Sequence, residues 1–101
     1  MSISVLVADD SKLSRRSVVR SLPQELTYDI AEATNGEEAI HALSERKFDL
    51  LLLDLTMPII DGIGVLEHLQ THDSPPQVIV ISADFQPEKQ KNVMALGAKR
   101  F

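Results

Sequence analysis

Three short apolar runs end in polar residues: the first is followed by Asp9 and Asp10, another by Asp54 and the last by Ser82. Three carboxylates brought within roughly 4–6 Å of one another repel by a few kcal/mol per pair at an effective dielectric constant near 20. A site that unites them must therefore take up a proton or bind a cation. Oxygen ligands without His or Cys favour Mg²⁺, which takes about two carboxylates and shares its other positions with phosphate oxygens.

Phosphoryl transfer is one reaction that such a site can support. A carboxylate held beside a bound metal can attack a phosphoryl group and carry it covalently, and catalysis then rests mostly on positioning and charge neutralisation. The hydroxyl of Ser82 would be placed to hydrogen-bond the transferred phosphoryl oxygens. Taken singly, however, Asp10 and Asp61 also fit helix caps, and Asp54 fits an ordinary turn residue at a strand end.

The elements that would position these residues alternate between strand and helix. Strands are predicted at Ile3–Ala8, Tyr28–Ala33, Leu50–Leu53 and Val78–Ile81. The first helix should begin at Asp10 or Ser11 and run to about Leu22, with Leu13, Val18, Val19 and Leu22 as its apolar face. Asn35 with Glu38 predicts the cap of the second helix, Asp61 the cap of the third, and Pro87 and Gly97 the ends of a fourth.

This order predicts an α/β fold with a doubly wound parallel sheet and helices on both faces. Such sheets bind ligands outside the carboxyl ends of the strands, where the strand order reverses. If the second and third strands flank the first, the reversal falls between the first and third strands. Asp9, Asp10 and Asp54 would then meet at one edge of the sheet.

Composition limits the partners and the setting of the chain. Its 101 residues allow one domain, here residues 1–101, and 44% hydrophobic with 25% charged residues is typical of a soluble globular protein. A net charge of −5 argues against direct nucleic-acid binding, and the cluster of Arg15, Arg16 and Arg20 fits a solvated helix face. Apolar runs of four to six residues predict no membrane span. Without cysteine or a signal peptide, the cytoplasm is the expected location.

At this point the sequence resembles the receiver domain of bacterial two-component response regulators. The segments that carry the resemblance are 7–11 (VADDS), 35–39 (NGEEA), 53–62 (LDLTMPIIDG), 80–83 (VISA) and 97–98 (GA). The resemblance implies the flavodoxin-like strand order 2-1-3-4-5. It also implies a signalling domain that catalyses its own phosphorylation and dephosphorylation, and is not otherwise an enzyme.

The resemblance further implies a role for each site residue. Asp54 would accept a phosphoryl group from a sensor histidine kinase or a phosphotransfer protein. Mg²⁺ would be bound directly by Asp10 and Asp54, by Asp9 through water, and by the backbone carbonyl of Thr56. Ser82 would turn toward the phosphoryl group and so complete the catalytic residues.

The chain departs from the family pattern at its end. Receivers continue past the position of Phe101 with a fifth strand, a lysine and a fifth helix, so the domain is expected to be C-terminally incomplete. Val78–Ile81 would then form an exposed apolar edge, which favours a homodimer or a domain-swapped assembly. An effector domain could follow Phe101.

Other readings stay open from the sequence. If the protein truly lacks the family's lysine, the sequence also fits a receiver that docks partners without being phosphorylated. A haloacid-dehalogenase-type phosphatase would need a second Asp where Thr56 stands, and a flavodoxin-like cofactor binder would need a glycine-rich phosphate loop. His68 and His72 share a helix face at a spacing that can hold zinc, although no third ligand is evident.

Overall fold

A four-stranded parallel sheet forms the centre of the computed structural model, which describes residues 2–55, 57, 59–72 and 74–81. The strands are β1 Ile3–Ala8, β2 Tyr28–Ala33, β3 Leu50–Asp54 and β4 Gln77–Ile81. Their spatial order is β2-β1-β3-β4, so the direction in which strands are added reverses beside β1. The predicted doubly wound α/β fold, with strand order 2-1-3-4, is confirmed.

Side chains alternate between the two faces of the sheet, as the two-residue period of a strand requires. On one face, Leu6, Leu51 and Val80 belong to the larger apolar core. On the other face, Val5, Val7 and Leu52 form the smaller one. Because both faces are covered, β3 and most of β1 and β4 are continuous apolar runs, whereas β2 at the edge carries the exposed residues Asp29 and Glu32.

Three helices connect the described strands: α1 Lys12–Arg20, α2 Gly36–Glu45 and α3 Gly62–Leu69. The larger core includes Ala39 and Leu43 of α2 and Val65 of α3, while Val18 and Val19 of α1 pack against the smaller core. The helices therefore lie on both faces of the sheet, as the sequence predicted.

The predicted apolar face of α1 was partly wrong. Leu13 is 80% exposed, because five residues at 3.6 per turn place it about 140° around the helix from Val18. Leu22 does pack against the smaller core, but it lies beyond the helix, which ends at Arg20 with Ser21 as its cap. The predicted fourth helix lies outside the described residues.

None of the helices in the described part of the chain is long and apolar enough to cross a membrane.

Candidate functional site

Strand register brings the three predicted aspartates together. Ala8, the last residue of β1, lies opposite Leu53 of β3, so Asp9 and Asp54 follow side by side at the carboxyl edge of the sheet. One carboxylate oxygen from each of Asp9, Asp10 and Asp54 lies within 4.8 Å of the other two. Among the described residues, this is the only group of three or more His, Cys, Asp or Glu side chains that could hold one metal ion. Thr56 and Ser82 lie outside the described residues.

Asp9 is buried and held on several sides. Its backbone N–H donates to the carbonyl of Ala33 at the end of β2 (3.0 Å), and its Oδ1 accepts from the backbone N–H of Ser11 (2.9 Å). Burial is the main cause that raises the pKa of the Asp9 carboxyl, and the neighbouring charge of Asp10 raises it further. The Ser11 N–H and the Arg15 guanidinium act in the opposite direction. A cation at the site would relieve the same repulsion.

Asp10 is exposed and does not cap α1. The cap is Ser11, whose Oγ accepts from the backbone N–H of Ser14 (3.3 Å). The alternative interpretation of Asp10 as a helix cap is therefore wrong. By contrast, Asp61 does cap α3, because its Oδ1 accepts from the N–H of Gly64 (2.9 Å).

Asp54 is half-buried at the end of β3, and the start of α3 packs closely behind it. The N–H of Gly62 donates to the carbonyl of Leu55 (3.0 Å). A Cβ at residue 62 would lie 2.6 Å from the carbonyl oxygen of Asp54 and 2.7 Å from the Cα of Leu55. Only glycine fits this close approach, so it lets the helix begin directly against the strand end that carries Asp54.

The loop after β2, at the same edge of the sheet, is fixed by a network at the start of α2. Asn35 accepts from the N–H of Glu38 through Oδ1 (2.8 Å), which is the predicted cap. Glu38 reaches back one residue further than a standard capping box does, since Oε1 accepts from both the Oγ1 (2.6 Å) and the N–H (2.7 Å) of Thr34. The Thr34 hydroxyl, followed by its N–H, lowers the pKa of the Glu38 carboxyl.

The donor set fits a hard divalent cation. Three carboxylates converge and supply only oxygen ligands, which is what Mg²⁺ prefers. His68 and His72 stack edge to face with ring centroids 5.1 Å apart. In the described part of the chain no third His, Cys, Asp or Glu lies close enough to complete a metal site with them. The alternative hypothesis that these two histidines bind zinc therefore has no support.

Sequence reasoning missed one residue beside the site. Arg15 was grouped with Arg16 and Arg20 as a solvated face, but its side chain is only 11% exposed and bonds to Glu32 and to the backbone of Asp9. The sequence carries no signal that separates Arg15 from Arg16, because only the rotation of α1 against β2 decides which of them turns inward.

Comparisons with known proteins agree with this geometry. Residues 5–101 match the family described as "Response regulator receiver domain". A protein-glutamate methylesterase/protein-glutamine glutaminase of Geobacter sulfurreducens is 41% identical over 98% of the chain, but the chain spans only 27% of that protein. The chemotaxis protein CheY of Halobacterium salinarum is 35% identical, with 97% of the chain and 81% of that protein covered.

Solved structures show the same architecture. The receiver domain of the putative response regulator NarL of Mycobacterium tuberculosis superposes with a TM-score of 0.88 and 32% identity, covering 99% of this chain and 82% of that one. CheY in a CheX–CheY–BeF3–Mg complex from Borrelia burgdorferi superposes with a TM-score of 0.86 and 32% identity, covering 96% of this chain and 74% of that one. The chain belongs to the response regulator receiver domain family and is a receiver domain of two-component signalling.

Proposed function

We propose that Asp54 is the phosphoacceptor of this receiver and that Asp9, Asp10 and Asp54 hold the Mg²⁺ on which the reaction depends. One observation carries the proposal. Three carboxylate oxygens from two adjacent strand ends lie within 4.8 Å of one another. At that distance their mutual repulsion amounts to a few kcal/mol per pair, which a divalent cation offsets. Thr56, through its carbonyl, and Ser82 complete the proposed site.

The transfer itself needs little covalent chemistry from the protein. A carboxylate oxygen of Asp54 attacks the phosphorus of a phosphohistidine, a new P–O bond forms, and the P–N bond breaks. The departing imidazole keeps the electron pair and takes up a proton. Bound Mg²⁺ would neutralise charge on the phosphoryl oxygens and on the attacking carboxylate. Asp9, fixed through Ala33 and Ser11, holds its carboxylate beside the reacting group without reorganisation.

The partners follow from the same reaction. We propose that a sensor histidine kinase or a phosphotransfer protein donates the phosphoryl group. The acceptor is a single receiver domain, residues 1–101, and the transfer takes place in the cytoplasm. The relative from Borrelia burgdorferi was crystallised with BeF3 and Mg²⁺, which supports a metal-dependent site of this kind. The chain spans 27% of the Geobacter methylesterase. We also propose that phosphorylation controls an effector domain.

Intact-mass spectrometry tests the phosphoacceptor directly. The chain is incubated with Mg²⁺ and acetyl phosphate, in which the P–O bond to acetate breaks as the bond to Asp54 forms. We expect the parent to gain the mass of one phosphoryl group and Asp54→Asn to gain none. Asp29→Asn is the matched control, because Asp29 is an exposed aspartate of β2 that pairs with Arg46 (2.8 Å) outside the site. It should be phosphorylated like the parent.

Two outcomes would contradict the proposal. If Asp54→Asn gains the phosphoryl group as the parent does, the acceptor is another residue. If the parent gains none with or without Mg²⁺, the chain fits the alternative reading of a receiver that docks partners without phosphorylation.

A further inference from the structure

Arg15 is the only one of the three α1 arginines whose side chain turns toward the sheet. Its Nε donates to Oε1 of Glu32 on β2 (2.6 Å), and its Nη1 donates to the backbone carbonyl of Asp9 (2.7 Å). The Arg15 side chain is 11% exposed, whereas that of Glu32 is 51% exposed. Arg16 and Arg20 are both exposed.

The Asp9 carbonyl belongs to the peptide group that joins Asp9 to Asp10. Because a peptide group is planar, a bond that fixes this carbonyl also fixes the direction in which the chain continues into Asp10. The other side of Asp9 is already held, since its N–H donates to Ala33 and its Oδ1 accepts from Ser11. Arg15 therefore adds a further restraint on the backbone from which two of the three acidic side chains project.

We propose that Arg15 is a positioning residue for the Mg²⁺ site, which acts by holding the Asp9–Asp10 peptide against Glu32. The inference rests on the proposed function, because it concerns the same metal site. Groups that orient the residues of a metal site commonly change metal affinity by about 10–100-fold when they are removed.

A positioning role and a purely electrostatic role predict opposite changes in Mg²⁺ affinity when Arg15 is replaced. A cation close to an acidic cluster repels Mg²⁺, so removing its charge should tighten Mg²⁺ binding if Arg15 is only a neighbouring charge. If Arg15 positions the peptide, its removal should weaken Mg²⁺ binding. The two contacts also require the divergent donors of a guanidinium, so Lys at residue 15 keeps the charge but cannot reach both partners.

Isothermal titration of the metal-free chain with Mg²⁺ measures the effect without reference to phosphorylation. We expect the Kd for Mg²⁺ to rise about 10-fold or more in both Arg15→Lys and Arg15→Ala. Arg16→Ala removes the same charge from the neighbouring, exposed position and should leave the Kd within about twofold. A thermal melt of each variant without metal shows whether it is folded.

Amide spectra provide a second readout in the metal-free chain. In a ¹⁵N–¹H correlation spectrum, Arg15→Lys should shift the Asp10 amide, which belongs to the peptide group that Arg15 holds, and Arg16→Ala should not. Glu32→Gln, which keeps Arg15 but removes its ionic partner, should raise the Kd less than Arg15→Lys does. These milder variants test the inference even if Arg15→Ala fails to fold.

The outcomes separate this inference from the proposed function. If the parent binds Mg²⁺ and Arg15→Lys binds it equally well, or Arg15→Ala binds it more tightly, Arg15 is a neighbouring charge and the inference is wrong. If the parent binds no Mg²⁺, the proposed metal site is wrong and the positioning role is lost with it.

Discussion

Gly36, the first residue of α2, packs against the backbone of Ile60 in the loop that follows β3. A Cβ at residue 36 would overlap the Ile60 carbonyl, with its carbon only 2.6 Å away and the Ile60 Cβ 2.7 Å away. The helix that follows β2 and the loop that follows Asp54 are therefore in direct backbone contact. No side chain can enter between them.

Replacing Gly36 should destabilise the protein although the residue is helical. Gly→Ala within a helix normally gains about 0.5–1 kcal/mol, but the new methyl group would push against a backbone carbonyl, which moves only if the loop backbone shifts. We expect Gly36→Ala to lower the free energy of unfolding by about 1–3 kcal/mol. Urea denaturation measures the difference.

Gly64 is the matched control for Gly36. A Cβ there would meet the Cγ2 methyl of Ile60 at 2.5 Å, which belongs to a side chain and can move by rotation about χ1 at less cost than a backbone carbonyl. Gly64→Ala should therefore cost clearly less than Gly36→Ala. Equal costs at the two positions would show that the backbone contact at residue 36 is not what matters.

Ile59 has a left-handed backbone conformation, with φ at 69°. A β-branched residue is strained there, and the strain is of the order of 1–3 kcal/mol. The residue is 72% exposed, so little burial would be lost on substitution. We expect Ile59→Asn to raise the free energy of unfolding by about 1 kcal/mol, because Asn tolerates positive φ without the extra unfolded-state entropy of glycine.

Ile59→Val distinguishes strain from side-chain chemistry. Valine keeps the β-branch and so keeps the strain, which predicts no gain in the melting temperature. If Ile59→Asn melts at or below the parent temperature while Ile59→Val is unchanged, backbone strain is not relieved by Asn and the explanation is wrong.

Glu38 should contribute stability that depends on pH. Its pKa is lowered in the folded protein because Thr34 donates to the carboxylate through its hydroxyl and its N–H. A depressed folded pKa means that the contribution is fully present above the unfolded pKa of about 4.3 and is lost as the pH falls through the folded value. The parent should therefore exceed Glu38→Gln in stability at neutral pH, and the difference should shrink in acid.

The matched control for Glu38 is Glu37→Gln in the same helical turn. Glu37 is exposed, and its carboxylate has no hydrogen bond or ion pair among the described residues, so its substitution should change stability little at any pH. Chemical denaturation of the three proteins between about pH 3 and pH 7 measures both differences. If the difference in stability between the parent and Glu38→Gln stays constant over this pH range, the interpretation is contradicted.

The sequence predicted the frame of the site well, because its signals are local. Each apolar run that ends in a polar residue became a strand, and the caps Asn35 and Asp61 have the expected side-chain to backbone bonds. The features it missed depend on how elements pack. The rotation of α1 that turns Arg15 inward is set by its contacts with Glu32 and the Asp9 carbonyl, and the positive φ of Ile59 is not encoded in residue type or spacing. Leu13 is different, because its helical spacing from Val18 already places it away from the buried face.

Asp9 affects both the stability of the fold and the proposed metal site. Its carboxylate stands within 4.8 Å of two others, and burial raises its pKa, so folding penalises the charged form relative to water. Asp9→Asn removes one charge from the cluster but keeps an Oδ1 that can accept from Ser11. At neutral pH without metal, we expect Asp9→Asn to be more stable than the parent by about 1–3 kcal/mol.

Addition of Mg²⁺ should shrink or reverse this difference. A ligand at 100 times its Kd stabilises the folded state by about 2.7 kcal/mol, and the parent should gain most of this whereas Asp9→Asn gains little. Asp29→Asn, whose carboxylate pairs with Arg46 on the surface, should change stability by less than about 1 kcal/mol and keep the full response to Mg²⁺. Thermal denaturation with and without Mg²⁺ gives all six values. An Asp9→Asn protein that is less stable than the parent without metal would mean that repulsion among the three carboxylates does not strain the fold.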